Sequence, residues 1–116
     1  MTQGARTPEE LEALFEDAFV LRDPAALGPL FEARALLDAG GPAREARGRE
    51  QITLLVSTLW SPRFTYVADP RRVVQAHDLA LVLAVQGTSV VRRGADGAWR
   101  YAISLLANDR QTKEEQ

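Results

Sequence analysis

The order of hydrophobic patterns along the chain limits the folds that it can adopt: helical spacing dominates the first half, and strand-like runs dominate the second. The Thr-Pro-Glu-Glu at residues 7–10 has the form of a capping box with proline at the first helical position. A first helix is therefore predicted to begin there, and it is expected to end near Arg22. Asp23-Pro24 repeats the start signal and predicts a short second helix, which Gly28-Pro29 should kink or end early because proline removes a backbone donor.

Strands and one further helix account for the rest of the chain. A first strand is predicted at residues 34–38, and Gly48 is expected to open a third helix that Ser61-Pro62 stops. Residues 44–49 are interpreted as a charged lead-in to that helix. Further strands are predicted at residues 64–67 and 72–76, at residues 79–93 with a bulge or bend at residues 86–89, and at residues 99–106. Residues 77–78 and 94–97 are predicted turns, the second of them in a hairpin.

The size and composition of the chain exclude several classes of protein. Its 116 residues fit one domain over residues 1–116, in which residues 1–6 and 108–116 are expected to be flexible tails. There are no cysteines, which excludes disulfides, thiolate metal sites and cysteine nucleophiles and suits a reducing cytoplasm. The net charge of -2 disfavours nucleic acid as a partner, and no apolar run approaches the roughly 20 residues that span a membrane. We therefore expect a cytoplasmic protein, and its abundance of Ala, Arg, Gly and Leu is typical of a GC-rich bacterial genome.

Five short segments, taken in order, resemble the SnoaL-like and DUF4440-like branches of the nuclear-transport-factor-2-like (NTF2-like) superfamily. The likeness runs over residues 8–106, and its motifs are Arg22-Asp23, Leu30-Phe31, Gly48-Arg49-Glu50-Gln51-Ile52, Asp78-Leu79-Ala80-Leu81-Val82 and Gly94-Ala95-Asp96-Gly97-Ala98-Trp99-Arg100. The resemblance implies an α+β, cone-shaped fold in which three N-terminal helices pack on a curved antiparallel sheet and leave a conical apolar pocket. It also implies a homodimer formed through the outer face of the sheet. Because the superfamily holds isomerases, cyclases, dehydratases and non-catalytic binding modules, the fold alone does not give the function.

The resemblance makes Asp38 the candidate catalytic residue, since it ends the first predicted strand near the position at which ketosteroid-isomerase-like members carry their general base. A carboxylate at the rim of an apolar pocket can abstract a proton beside a carbonyl group. The alternative is that Asp38 only begins the loop at residues 39–41, as aspartate often does. Phe15 stands where the isomerases have a tyrosine oxyanion donor, and Thr88 or Ser89 stands near their second donor, so the usual oxyanion hole is missing.

The candidate pocket is aromatic, because a cone fold would bring several large rings to the open end of the core. The residues predicted to line it are Phe15, Phe19, Trp60, Tyr66, Thr88, Ser89 and Tyr101. An ordinary core requires the same rings, so the two interpretations overlap. His77 is the only histidine and lies at a predicted turn, and with scattered acids it does not favour a metal site. No metal and no cofactor is predicted.

Three functions are compatible with these residues. The first is a homodimeric cone-fold protein that binds a hydrophobic small molecule in an apolar pocket. The second is an isomerase or polyketide-cyclase-like enzyme with Asp38 as general base and Tyr66, Thr88 or Ser89 as polar helpers. The third is a non-catalytic dimeric interaction module whose pocket is filled by its own side chains. A cavity of about 300 Å³ or more would separate the first two functions from the third.

Overall fold

A computed structural model describes residues 4–40, 44–60 and 65–106 of the chain. The first helix, α1, spans Pro8–Val20 and begins where the capping box predicts. The Thr7 hydroxyl accepts a hydrogen bond from the backbone N–H of Glu10 at 3.0 Å, and the Glu10 carboxylate accepts one from the backbone N–H of Arg6 at 2.7 Å. These bonds satisfy donors that the chain around a helix start otherwise leaves unpaired. The helix ends at Val20, slightly before the predicted end near Arg22.

The second helix is a single turn. α2 spans Pro24–Leu27, and the Asp23 side chain caps it by accepting a hydrogen bond from the backbone N–H of Ala25 at 3.2 Å. A 3₁₀ turn over Gly28–Leu30 follows, so the predicted early end of this helix is confirmed. The first strand then begins at Phe31, three residues earlier than predicted.

The third helix, α3, spans Gly48–Ser57. Gly48 adopts a φ of 84°, a left-handed backbone conformation that glycine tolerates better than other residues, which explains why glycine opens this helix. The charged residues just before it form a short strand over Glu45–Arg47, so the interpretation of residues 44–49 as a simple lead-in is wrong. The helix ends at Ser57, before the predicted stop at Ser61-Pro62, so the predicted extent of this helix is wrong; Ser61 and Pro62 themselves lie outside the described residues.

Among the described residues, six strands form one sheet in the order β2-β1-β6-β5-β4-β3. Their bounds are β1 Phe31–Asp38, β2 Glu45–Arg47, β3 Pro70–Ala76, β4 Leu79–Ala84, β5 Gly87–Arg93 and β6 Trp99–Leu106. The pairs are antiparallel except β1 and β6, which run parallel, so the prediction of an antiparallel sheet is wrong at this pair. A parallel pair needs a long connection, and the chain between β1 and β6 supplies one. Register shifts within β1, β3 and the β5–β6 pair are irregularities of the kind at which sheets bend.

The structure also corrects the prediction of one bent strand over residues 79–93. These residues form two antiparallel strands, β4 and β5, because the chain reverses at residues 85–86 and pairs Ala84 with Gly87. Pairing continues along both strands as far as Leu79 and Arg92. The predicted turns at residues 77–78 and 94–97 are confirmed as the other two reversals of this meander.

The segment before β3 is held by a side chain rather than by a neighbouring strand. The Gln86 amide oxygen accepts a hydrogen bond from the backbone N–H of Val67 at 2.8 Å, and its nitrogen donates to the Thr65 carbonyl at 2.9 Å. Residues 65–67 therefore form no strand, contrary to the prediction for residues 64–67, whose first residue lies outside the described part.

The helices cover one face of the sheet, and the core lies between the two layers. Buried residues from both layers include Leu11, Phe15, Leu37, Ile52, Val56, Val82, Val91, Tyr101 and Leu106. The opposite, outer face of the sheet is apolar but open: Val74, Leu81 and Ile103 are 46%, 38% and 42% exposed. The molecule thus has a filled inner layer and an exposed apolar outer surface.

Candidate functional site

Glu12 is a carboxylate in the middle of the core. It lies on α1 and is 2% exposed. The Tyr66 hydroxyl donates a hydrogen bond to one of its oxygens at 2.5 Å, and the Tyr101 hydroxyl donates to the other at 2.6 Å. Burying a carboxylate is costly unless its oxygens are hydrogen-bonded, and both oxygens are. Glu12 thereby joins α1 to β6 and to the segment before β3.

Burial and the carboxylate together raise the pKa of both phenols. For Tyr66, burial is the larger cause and the negative charge of Glu12 adds to it. The same two causes raise the pKa of Tyr101 well above its usual value. Both hydroxyls therefore remain protonated donors at neutral pH, and neither acts as a base.

Phe15 is the centre of a packed group of rings beside this carboxylate. Its ring centroid lies 4.8 Å from that of Tyr66, 5.8 Å from that of Tyr101, and 6.1 Å from those of Phe19 and Phe31. Three of the contacts are edge-to-face, the arrangement that aromatic quadrupoles favour. These five rings, called the aromatic core below, occupy the space between α1 and the sheet.

Two other predicted pocket residues lie on the inner side of the fold. Ser89 is buried on β5, and its hydroxyl lies 3.2 Å from that of Ser104 on β6, so the two hydroxyls satisfy each other. Trp60 is half-buried and packs edge-to-face on Phe19 at 6.4 Å between ring centroids. Within the described ranges, its buried indole N–H has no hydrogen-bond acceptor.

Asp38 and Thr88 lie on the outer face of the sheet. Both are register partners of Leu105, which is 49% exposed. One Asp38 oxygen accepts a hydrogen bond from the backbone N–H of Gly40 at 2.8 Å, the contact expected of an aspartate that begins a turn. The two residues line an open depression of about 410 Å³ at the end of β1. The sheet separates them from the aromatic core.

A larger cavity, of about 570 Å³, lies on the other side of α1 and is called the α1 groove below. Helix α1 lines it with Leu14, Asp17, Ala18 and Leu21 at its end, whereas Glu12, Phe15 and Phe19 point into the core. At about 3.6 residues per turn, Leu14, Asp17 and Leu21 fall on the side away from Glu12 and Phe19. Ala18 lies between the two sets and also belongs to the buried core. The remaining lining residues come from the N-terminal segment, α2, the 3₁₀ turn and the β5–β6 hairpin: Gly4, Ala5, Asp23, Ala26, Pro29, Leu30, Asp96, Ala98, Trp99 and Arg100.

Solved structures of similar shape identify the fold. A protein described as a calcium/calmodulin-dependent protein kinase type II association domain, from Thiobacillus denitrificans, matches with a TM-score of 0.74 at 18% identity, over 91% of this chain and 98% of the other. An NTF2-like protein from Novosphingobium aromaticivorans matches with a TM-score of 0.69 at 21% identity, over 85% and 77%. A ketosteroid isomerase-like protein from Erwinia carotovora atroseptica matches with a TM-score of 0.67 at 18% identity, over 85% and 91%. The chain has the NTF2-like fold.

The identification of the NTF2-like fold rests on structural similarity rather than on sequence similarity. No protein-family model matches the sequence, and no curated protein matches it either. The predicted cone fold and α+β class are confirmed by the solved structures, while membership of the superfamily and of its SnoaL-like or DUF4440-like branch stays a prediction. At such low identity, the likeness carries over the fold and not the activity of these proteins.

The charges along the α1 groove are unequally paired. Asp96 accepts two hydrogen bonds from the Arg100 guanidinium, at 3.1 Å and 2.6 Å. This contact lowers the pKa of the Asp96 carboxyl below its usual range and raises the pKa of Arg100. Asp23 caps α2, as described above. Asp17 is exposed and has no side-chain hydrogen bond or ion pair within the described part of the chain.

The sequence-predicted site residues thus fall into separate places of the NTF2-like fold. Phe15, Phe19, Tyr66 and Tyr101 come together in the aromatic core, whereas Asp38 and Thr88 lie beyond the sheet. Glu12 is absent from the sequence prediction. The sequence feature that could have identified it is a charged residue among the apolar positions of α1, on the side that carries Phe15 and Phe19.

Metal-binding clusters and membrane-spanning helices can both be assessed within residues 4–40, 44–60 and 65–106. No group of three or more His, Asp and Glu side chains in these ranges lies close enough together to hold a metal ion. None of their helices has both the length and the apolar character needed to cross a membrane.

Proposed function

We propose that this chain is a binding protein that takes a hydrophobic small molecule in the α1 groove. The observation that carries the proposal is the size and lining of this cavity, about 570 Å³ with a mostly apolar surface. Small-molecule sites are typically concave, largely apolar and about 300–1,000 Å³ in volume. Leu14, Ala18, Ala26, Leu30 and Trp99 supply the apolar contacts.

The inside of the cone is the less favoured location for this ligand. Its rings pack on one another at centroid distances of 4.8–6.1 Å, and both of its phenols are already bound by Glu12. A ligand entering there would displace aromatic contacts and leave the buried carboxylate without donors, which costs more than the new contacts return.

A large side chain placed in the groove should weaken ligand binding. Two adjacent alanines offer a matched pair of variants to test this. Ala26 is half-buried and lines the groove, whereas Ala25 is exposed and does not. We expect Ala26→Phe to weaken binding of the neutral probe 2-naphthalenemethanol by tenfold or more, and Ala25→Phe to leave it unchanged, in calorimetric titrations. Equal affinities in both variants would place the probe elsewhere and refute the proposal.

An isomerase or polyketide-cyclase-like activity with Asp38 as base is the alternative. It is supported by the depression that Asp38 shares with Thr88, and weakened by the Gly40 N–H that already occupies one carboxylate oxygen. Its partner candidates Tyr66 and Ser89 lie on the inner side of the fold. Loss of proton exchange on a bound ketone in Asp38→Asn would support the alternative, and unchanged exchange would remove it.

Homodimerisation through the outer face of the sheet is a second part of the proposal. Register pairs place Val74, Leu81, Val90, Ile103 and Leu36 in one apolar row across five strands. Exposed apolar patches of this kind commonly mark protein interfaces. The kinase association domain among the structural neighbours is consistent with assembly as a role of this fold.

The dimer has its own test, which does not depend on the ligand. Ile103→Arg puts a charge within the apolar row, and we expect it to convert the dimer to a monomer in light-scattering measurements. Leu54→Arg is the matched control, since Leu54 is 65% exposed on α3 and lies away from the sheet. A natural protein that is already monomeric would refute this part.

A cytoplasmic location also belongs to the proposal, supported by the absence of cysteine.

A further inference from the structure

The charges around the α1 groove indicate the chemistry of its ligand. We infer that the groove binds an apolar molecule carrying a protonated amine, with the apolar body against the groove and the ammonium group beside Asp17 and Asp23. This inference rests on the proposed function, because it names the class of ligand for the same cavity.

Negative charge exceeds positive charge among the lining residues. Three carboxylates and one guanidinium line the groove: Asp17, Asp23, Asp96 and Arg100. The guanidinium already binds Asp96 through two hydrogen bonds. Asp17 and Asp23 are therefore the carboxylates in excess, and both lie near the carboxyl end of α1.

The end of α1 adds to this negative potential. The helix has no basic residue in its last turn, where such residues commonly offset the negative end of the helix dipole. The backbone N–H of Asp23 donates to the Ala18 carbonyl at 3.0 Å and so holds Asp23 against the helix end. Arg22 is the nearest cation in the sequence, but it is exposed and does not line the groove. A bound ammonium group would meet two carboxylates that no lining guanidinium neutralises.

The apolar part of the groove explains why the ligand is not a simple cation. Leu14, Ala26, Leu30 and Trp99 offer no charge, so they contribute to binding only when a hydrophobic body covers them. A carboxylate ligand of the same shape would cover the same surface but would be repelled by Asp17 and Asp23. The combination selects an amphipathic amine over its neutral and anionic analogues.

Three naphthalene probes of one shape test this selection: 2-naphthylmethylammonium, 2-naphthalenemethanol and 2-naphthoate. In calorimetric titrations of the full chain at neutral pH and low salt, we expect the cation to bind about fivefold or more tightly than the alcohol, and the anion to bind most weakly. Because salt screens exposed charges, the advantage of the cation should shrink at high salt while binding of the alcohol persists.

Two substitutions separate the charges from the cavity. In Asp17→Asn/Asp23→Asn, the advantage of the cation over the alcohol should disappear and the affinity for the alcohol should be kept, since asparagine also caps helices such as α2. Glu9→Gln removes an exposed charge from the other end of α1 and should leave the preference intact.

The outcomes distinguish the amine inference from the proposed function. Equal binding of the three probes, or a cation preference that survives the double variant, overturns the amine inference and leaves the proposed function standing. Failure of the alcohol itself to bind overturns the proposed function and the inference with it.

Discussion

Replacing the buried carboxylate by an apolar side chain of similar size tests how the cone is closed. Glu12 is 2% exposed and accepts hydrogen bonds from two phenols, at 2.5 Å and 2.6 Å. In Glu12→Leu, the hydroxyls of Tyr66 and Tyr101 lose their acceptor while they remain buried. Each orphaned group costs about 1–3 kcal/mol, so the free energy of unfolding should fall by about 2–6 kcal/mol.

A loss of this size is a large part of a typical total stability of about 5–15 kcal/mol. It should move the midpoint of urea unfolding down by about 1 M or more, which circular dichroism measures directly. Glu9→Leu is the matched control on the same helix, because Glu9 is exposed in the first turn. We expect that control to cost less than about 1 kcal/mol, chiefly through the helix dipole.

A triple variant then asks whether the polar contact or the shape matters. Combining Glu12→Leu with Tyr66→Phe and Tyr101→Phe removes every polar end of the cluster, and an apolar replacement of a complete buried polar group is often close to neutral. Stability should therefore recover to within about 2 kcal/mol of the natural protein. A triple variant as unstable as Glu12→Leu, or a Glu12→Leu loss no larger than that of Glu9→Leu, would refute the reasoning.

Three further predictions concern the core and the sheet that covers it. The folded-state pKa of Tyr66 and Tyr101 lies above the unfolded value of 10.0. The free energy of unfolding should therefore be unaffected by these phenols below pH 10.0 and should fall as the pH rises above it, by up to about 1.4 kcal/mol per pH unit for each phenol. Tyrosinate absorbance should then appear only with unfolding, and a phenol that ionises normally in the folded protein would contradict this. Phe19→Ala should cost about 3–5 kcal/mol in urea titrations, and a much smaller loss would mean that α1 docks through another side. Gly87→Ala should lower the thermal midpoint, because its Cβ would lie 2.6 Å from the Leu105 carbonyl oxygen; an unchanged midpoint would mean that β5 and β6 separate freely there.

The parts of the fold that depend on local signals could be predicted from the sequence. The start of α1 depends on Thr7 and Glu10, which act within one turn, and the hairpin at residues 94–97 depends on its own glycines. The reversal between β4 and β5 could not be predicted in this way. Residues 85–86 carry no glycine, proline, asparagine or aspartate, and Gln86 takes its role from a contact with residues distant in the sequence.

The candidate site shows the same division. The aromatic residues of the core were identifiable by type, since large rings near apolar helix positions tend to be buried. Their closure around Glu12 was not, because it brings Tyr66 and Tyr101 from distant parts of the chain to one carboxylate. The α1 groove depends on how α2, the N-terminal segment and the β5–β6 hairpin pack together, and no local pattern encodes that arrangement.

Methyl NMR of the full chain during titration with 2-naphthalenemethanol tests most directly whether ligand binds outside the cone. The proposed function predicts that the largest chemical-shift changes fall on Ala18, Ala26 and Leu30, which line the α1 groove. Methyl groups of Val82 and Val91, buried on the inner face of the sheet, should move little. The opposite pattern, with large changes at Val82 and Val91 and none in the groove, would contradict the proposal and return the ligand to the cone.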